Sequence, residues 1–251
     1  VIRVTYREGA EKYYDLFGAK DDAQFYIELA HRHGDGALEL GVGTARLAIQ
    51  LARAGVETWG IDNSMHMLRA AEANLRRESP LVRERVHLKL ADVKDFDLGS
   101  MFGLIYFPSY SFDHLLTEED QTSALRSIRR HLAPEGVYAF DLAHIPRIES
   151  ESGWFVQRKA VDERKTVVRT GFHRTDPQRL LTSMDLWYEL YEDGRMIERY
   201  HEGGEVHIHT PHGVRGLLER NGFEILEWFG GHDGRSFKDD SGMMVIVARA
   251  A

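Results

Sequence analysis

The apolar positions along the first half of the chain change period repeatedly. "DDAQFYIELAHRHG" has helical spacing, and "ALELG" after it is a short apolar run with the length of a buried strand. Thr44 is placed to cap a helix running to Ala54. Leu47, Ala48 and Leu51 lie on one side of it, and Gly55 is its stop. "VETWGID" reads as a second strand. Ser64 then caps a helix with Met67, Leu68, Ala71 and Leu75 at helical spacing. "RVHLKLAD" and "MFGLIYF" are the third and fourth strands. "TEEDQTSALRSIRRHL" is a helix with Thr117 as cap and three acids in its first turn, and "VYAFDL" is a fifth strand. Strand and helix alternating in this way predict an α/β fold, a parallel sheet covered by helices on both faces.

The period changes after about Pro146. "LLTSMDLWYELYEDGRMIERYHEGGEVHIHT" alternates, with Met184, Leu186, Tyr188 and Leu190 on one face and Asp185, Trp187, Glu189 and Tyr191 on the other. Turn signals at "TDPQ", Glu192–Gly194 and Gly203–Gly204 complete an antiparallel insertion, bounded at residues 148–208. Residues 1–147 and 209–251 form the main domain. Thr210 and Pro211 open its last helix, and "FEILEWFGG" and "GMMVIVARA" make a final antiparallel pair.

Composition narrows the partners. Of 251 residues 43% are apolar, enough for a well-packed core, and the formal charge of −8 argues against a nucleic-acid partner. The absence of cysteine removes disulfides, thiolate metal sites and a cysteine nucleophile, and is compatible with a cytoplasmic setting. No stretch approaches the roughly 20 apolar residues of a membrane span, and the first residues lack a signal-peptide pattern.

The candidate chemistry sits at Ala37–Ser64. Gly41 and Gly43 allow close approach of a ligand to the backbone, and the helix that follows offers free N–H groups. Asp62, 21 residues beyond Gly41, ends the second strand where an acid can accept both hydroxyls of a ribose. A dinucleotide loop wants a third glycine where Arg46 stands, and a diphosphate would be repelled by Glu39. A ligand with a cationic amino group or sulfonium would not. Asp92, just past the third strand, is placed to accept from an adenine amino group.

These stretches, in order, resemble the class I S-adenosylmethionine-dependent methyltransferases, in the small-molecule branch that includes sugar-amine N-methyltransferases. "LELGVGTARLA" is similar to the family's glycine motif, with Ala45 in place of its last glycine. "VETWGIDNSMHML", "LKLADVKDF", "FGLIYFPSYSFDHL" and "SIRRHLAPEGVYAFDL" are similar to the motifs that follow. The resemblance implies a Rossmann-like, seven-stranded, mostly parallel sheet with an antiparallel last strand, and an insertion covering the active site. It implies S-adenosylmethionine as cofactor, with S-adenosylhomocysteine as product. Glu39, Gly41 and Gly43 would line its methionine moiety, and Asp62, Asn63 and Met67 its ribose. Asp92 and Val93 would face the adenine, and Phe107 and Ser109 would lie beneath the sulfonium. Tyr14 resembles an aromatic that small-molecule members place over the cofactor.

Methylation of a base carbon needs a cysteine. Exocyclic-amine methylation in nucleic acids or glutamine commonly carries an (N/D)-P-P-(Y/F) signature where this chain has "FPSY". Both point to a small-molecule acceptor, an amine or a hydroxyl, methylated by in-line displacement. His114 and His144, after the fourth and fifth strands, are candidate bases or acceptor-binding groups, and Tyr14, the aromatic over the cofactor, is a further catalytic candidate. His207 and His209 alternate on one face with His212 nearby, but a wall of the substrate pocket or a solvated face explains them better than a metal, and no metal is expected. The competing readings are a nicotinamide oxidoreductase and a cofactor-binding protein without catalysis. No nucleic-acid or membrane partner is expected, and either a monomer or a homodimer fits.

Overall fold

The structure, a computed structural model, describes residues 11–18, 21–34 and 36–251. Seven strands form one sheet: β1 (Ala37–Leu40), β2 (Thr58–Asp62), β3 (Val86–Leu90), β4 (Phe102–Phe107), β5 (Leu132–Ala143), β10 (Phe223–Phe229) and β11 (Met243–Ala250). Their order is β10-β11-β5-β4-β1-β2-β3. β1, β2, β3, β4 and β5 run parallel, and β11 is antiparallel to both β5 and β10. This is the expected Rossmann-like α/β sheet. β1 and β4 are buried throughout, because helices cover both faces of the sheet and leave no solvated side to alternate with.

Alternation divides the core. Ala37, Leu104 and Tyr106 pack against α2 (Ala23–His33) and α3 (Arg46–Arg53). Leu38, Leu40, Ile105 and Phe107 pack on the other face against α6 (Glu118–His131) and α7 (Pro211–Arg220). Glu39 therefore falls on the α2/α3 side, beside Tyr106. Near β3, α4 (Met65–Leu75) and α5 (Pro80–Glu84) join α3 in a third apolar cluster, and α5 is an element the sequence pattern missed. Gly103 on β4 lies under the end of α2: a Cβ there would stand 2.0 Å from the Gly34 carbonyl oxygen.

Ser64, Thr117 and Thr210 cap their helices as expected, accepting from the N–H groups of Met67, Asp120 and Gly213. Thr44 does not. The residue entering α3 is Ala45, in left-handed conformation and without a side-chain cap, while the Thr44 hydroxyl donates to Asp15 at 2.9 Å.

The strands β6 (Glu151–Ala160), β7 (Lys165–Asp176), β8 (Leu181–Glu192) and β9 (Arg195–His207) make a separate antiparallel sheet. Val167, Tyr188 and Leu190 on its inner face close over α1 (Glu11–Phe17), packing on Tyr13, Leu16 and Phe17. Tyr13 and Tyr200 both donate to Glu198, at 3.0 and 2.8 Å. Trp187 faces away and stacks between Trp154 and His201.

Candidate active site

The glycine motif is a run of left-handed residues at every second position: Gly41 (φ 65°), Gly43 (φ 54°) and Ala45 (φ 63°). That periodicity is the physical content of the motif, and Ala45 meets it at a steric cost that glycine avoids. Val42 N–H donates to the Ile61 carbonyl at 2.9 Å, drawing the loop onto β2. Gly60 permits this approach, since a Cβ there would meet the Val42 side chain at 2.5 Å.

Asp62, at the end of β2, holds the loop from the other side. Its Oδ2 accepts from Gly43 N–H at 2.9 Å and its Oδ1 from Ser64 N–H at 2.8 Å. Burial raises its pKa, and these backbone donors act against the rise. One carboxylate thus fixes the loop and presents its remaining lone pairs to the space beyond.

Glu39 is 3% exposed and accepts from the Tyr106 hydroxyl at 2.9 Å. Desolvation pushes its pKa up to about 8, outweighing that bond and the Arg46 charge. Without a further cation it is therefore largely protonated at neutral pH. Arg46 is committed elsewhere, as a two-pronged pair with the buried Asp22 at 2.7 and 2.6 Å that ties α3 to the start of α2. This is what stands where a dinucleotide loop would carry its third glycine.

A cavity of about 300 Å³ opens along the loop. Glu39, Gly41, Gly43 and Asp62 line it, as do Asn63 and Met67 beyond β2 and Asp92 and Val93 beyond β3. Phe107 and Ser109 close it from the end of β4. His114 also lines it, in the short 3₁₀ turn Ser111–His114, where burial depresses its pKa to about 4. Sequence reasoning missed Asp15, Lys94, Ser111 and Asp120, which line the same space. Asp15 is legible only once α1 is known to face the loop. Asp120 belongs to an acidic first turn already explained by the helix dipole.

His144 lies elsewhere. It is 8% exposed, its Nδ1 is 2.7 Å from the Ser241 carbonyl oxygen, and its ring meets Phe237 edge-on. It joins the end of β5 to the loop before β11 and does not line the cavity. The side chain of Tyr14 is outside the described residues. His207 and His209 bring their rings to 4.6 Å, but His212 is exposed, and no group of metal-binding side chains occurs among the described residues. No helix among those residues is long and apolar enough to cross a membrane.

The order of the sheet, the left-handed glycine loop and the acid at the end of β2 define a class of nucleoside-binding α/β enzyme. Residues 37–136 match the family described as "Methyltransferase domain". Residues 37–136 thus carry a methyltransferase domain, and solved methyltransferases of similar fold are described as bound to S-adenosylmethionine. A putative methyltransferase of Bacillus subtilis, YqeM, is 25% identical over 203 residues, spanning 80% of this chain and 78% of its own. The chain spans about half the length of several other curated relatives it matches. Among solved structures, the CcbJ methyltransferase of Streptomyces caelestis superposes with a TM-score of 0.84 at 21% identity, covering 99% of this chain and 98% of that one. CalS10, an amino pentose methyltransferase from Micromonospora echinaspora, gives 0.73 at 20% identity, covering 98% of each. These likenesses in fold extend over 98–99% of the chain and do not favour the nicotinamide reading.

Proposed function

We propose that this protein transfers a methyl group from S-adenosylmethionine to the amine nitrogen of a small molecule. The observation that carries the reading is the charge of the cavity. Asp15, Asp62, Asp92 and Asp120 line it, and Glu39, protonated until a cation approaches, is a fifth carboxyl that a cationic ligand would ionise. Its two cationic side chains are both engaged by carboxylates: Arg46 by Asp22, and Lys94 by Asp120 at 3.1 Å and Asp92 at 3.7 Å. Such a wall attracts cationic groups and repels phosphates. The cofactor supplies an electrophilic methyl on a positively charged sulfur, and an amine arrives from water as an ammonium.

The roles divide by element. Asp62 and Asn63 hold the ribose, Asp92 and Val93 the adenine, and Glu39 with the glycine loop the methionine end. Phe107 and Ser109 form the floor beneath the sulfur. The acceptor is aligned for in-line displacement and water is excluded, which is most of what the protein contributes to such a transfer. A hydroxyl acceptor needs a base. His114, an ionisable ring at the cavity, is a weak base with its pKa near 4, and this favours an amine over a hydroxyl: the amine is drawn in as an ammonium, loses its proton to water, and attacks as the neutral amine. Residues 148–208 act as the cover, with α1 seated beneath them and Asp15 of α1 reaching the cavity. The amino pentose substrate in the name of CalS10 is in keeping with this acceptor class.

Two experiments test the reading. Calorimetry with S-adenosylhomocysteine is expected to show binding weakened about a hundredfold in Asp62→Ala, since two charge-assisted bonds are lost; equal affinity would refute the site. A methyl-transfer screen by mass spectrometry over small amines, alcohols and acids is expected to yield products from amines. Turnover confined to alcohols or acids would refute the acceptor class.

A further inference from the structure

Asp141, near the end of β5, is not among the residues lining the cavity, and it is 1% exposed. Its carboxylate gathers groups from three separate segments. Oδ1 accepts from Tyr110 N–H at 2.6 Å, and Oδ2 accepts from Ser109 N–H at 3.1 Å and the Tyr26 hydroxyl at 2.9 Å. His232 Nε2, from the loop between β10 and β11, lies 3.2 Å from Oδ2.

The two backbone donors are unusual. Ser109 and Tyr110 are consecutive non-glycine residues in left-handed conformation, with φ of 60° and 58°. Each carries a steric cost for a side chain with a Cβ and persists only where the surroundings impose it. The paired acceptance by one buried carboxylate supplies that imposition. The segment so held is the floor of the cavity, to which Phe107, Ser109 and Ser111 contribute. It also presses on the glycine loop. Beside the space above the Gly41 Cα, the Phe107 ring stands 3.3 Å and Ser111 Cβ 3.6 Å from where a Cβ would lie.

We infer that Asp141 is the positioning residue of the methyl-transfer site: it holds Ser109–Tyr110 in the left-handed turn that sets the floor against the glycine loop. The inference rests on the proposed methyltransferase reading for its catalytic consequence, but its structural content stands apart. Tyr26 and His232 lock the carboxylate's orientation, and Tyr26 packs at 5.0 Å on Tyr106, the donor to Glu39. The carboxylate under the floor and the acid at the methionine end are therefore joined through two tyrosines.

The test is a double-mutant cycle in the full chain. Asp141→Asn is nearly isosteric but turns one acceptor oxygen into a donor group facing donors. Tyr110→Asn places a residue that adopts the left-handed conformation readily. Asp141→Asn is expected to speed amide exchange across residues 108–111, weaken S-adenosylhomocysteine about tenfold and lower kcat tenfold to a hundredfold. The double variant is expected to recover a substantial part of all three, whereas a general loss of stability would not be rescued at position 110. Should Asp141→Asn fail to fold, Tyr110→Val, whose β-branch resists positive φ, is expected to produce the same exchange and affinity losses. Parent-like exchange and affinity in Asp141→Asn, no coupling in the cycle, or parent-like affinity in Tyr110→Val would each overturn the inference. If the parent itself neither binds S-adenosylhomocysteine nor methylates an amine, the functional reading fails, and the exchange measurements still decide the role of Asp141.

Discussion

Replacing Glu39 by glutamine isolates the charge buried in β1. Glutamine keeps the shape and the oxygen that accepts from Tyr106, but it cannot ionise. In the ligand-free parent the folded pKa of Glu39 stands near 8 against 4.5 for the unfolded chain, because desolvation outweighs the Tyr106 bond and the Arg46 charge. A raised carboxyl pKa means that the folded state binds the extra proton. Its contribution is fully present below pH 4.5, declines as the pH rises, and is lost once the pH passes about 8. At about 1.4 kcal/mol per pH unit, the difference accumulated by pH 7 is on the order of 3 kcal/mol. Urea unfolding of both proteins at pH 5, 6, 7 and 8 is the assay. The stability of Glu39→Gln relative to the parent is expected to rise steadily over that range and level off above pH 8. Other groups titrate alike in both proteins and cancel. A stability difference independent of pH would refute the reasoning, since Glu39 would then be ionised in both states.

Four further outcomes follow from the same geometry. The α-ammonium of S-adenosylhomocysteine, placed at Glu39, favours its charged form, so binding near pH 7 is expected to release protons, read as a dependence of binding enthalpy on buffer ionisation enthalpy; none is expected in Glu39→Gln. Ala45→Gly relieves a left-handed alanine and is expected to raise stability by up to about 1 kcal/mol, a rise of roughly 2–4 °C in Tm by calorimetry. Gly103→Ala drives a methyl into the end of α2 and is expected to cost at least about 2 kcal/mol in urea unfolding, against about 1 kcal/mol for Gly99→Ala, which meets nothing within 4 Å. Thr210→Ala removes the cap of α7 and is expected to cost about 1 kcal/mol by the same measurement.

The parts of this protein that sequence determined are those governed by local rules. A strand buried on both faces reads as an uninterrupted apolar run, a capped helix begins with its own hydroxyl, and a backbone forced to positive φ selects glycine. Those rules were enough to place β1, β2 and β4, the helices begun at Ser64, Thr117 and Thr210, and Gly41, Gly43 and Asp62 around one cavity. The local rule failed at Thr44, because an aspartate on α1 offered its hydroxyl a better partner than the helix end did. His144 followed the right strand, yet the β10–β11 loop took its ring. Tertiary structure alone decided where charge is stable. Glu39 reads as an anion in the sequence, but burial beside Tyr106 shifts it towards its neutral form, and Arg46, its nearby cation, is drawn off by Asp22. The left-handed turn at Ser109–Tyr110 is likewise invisible in sequence, since neither residue prefers that conformation. It exists because Asp141, distant in the chain, supplies a buried carboxylate to both amides at once, and such energies arise only when the chain has closed on itself.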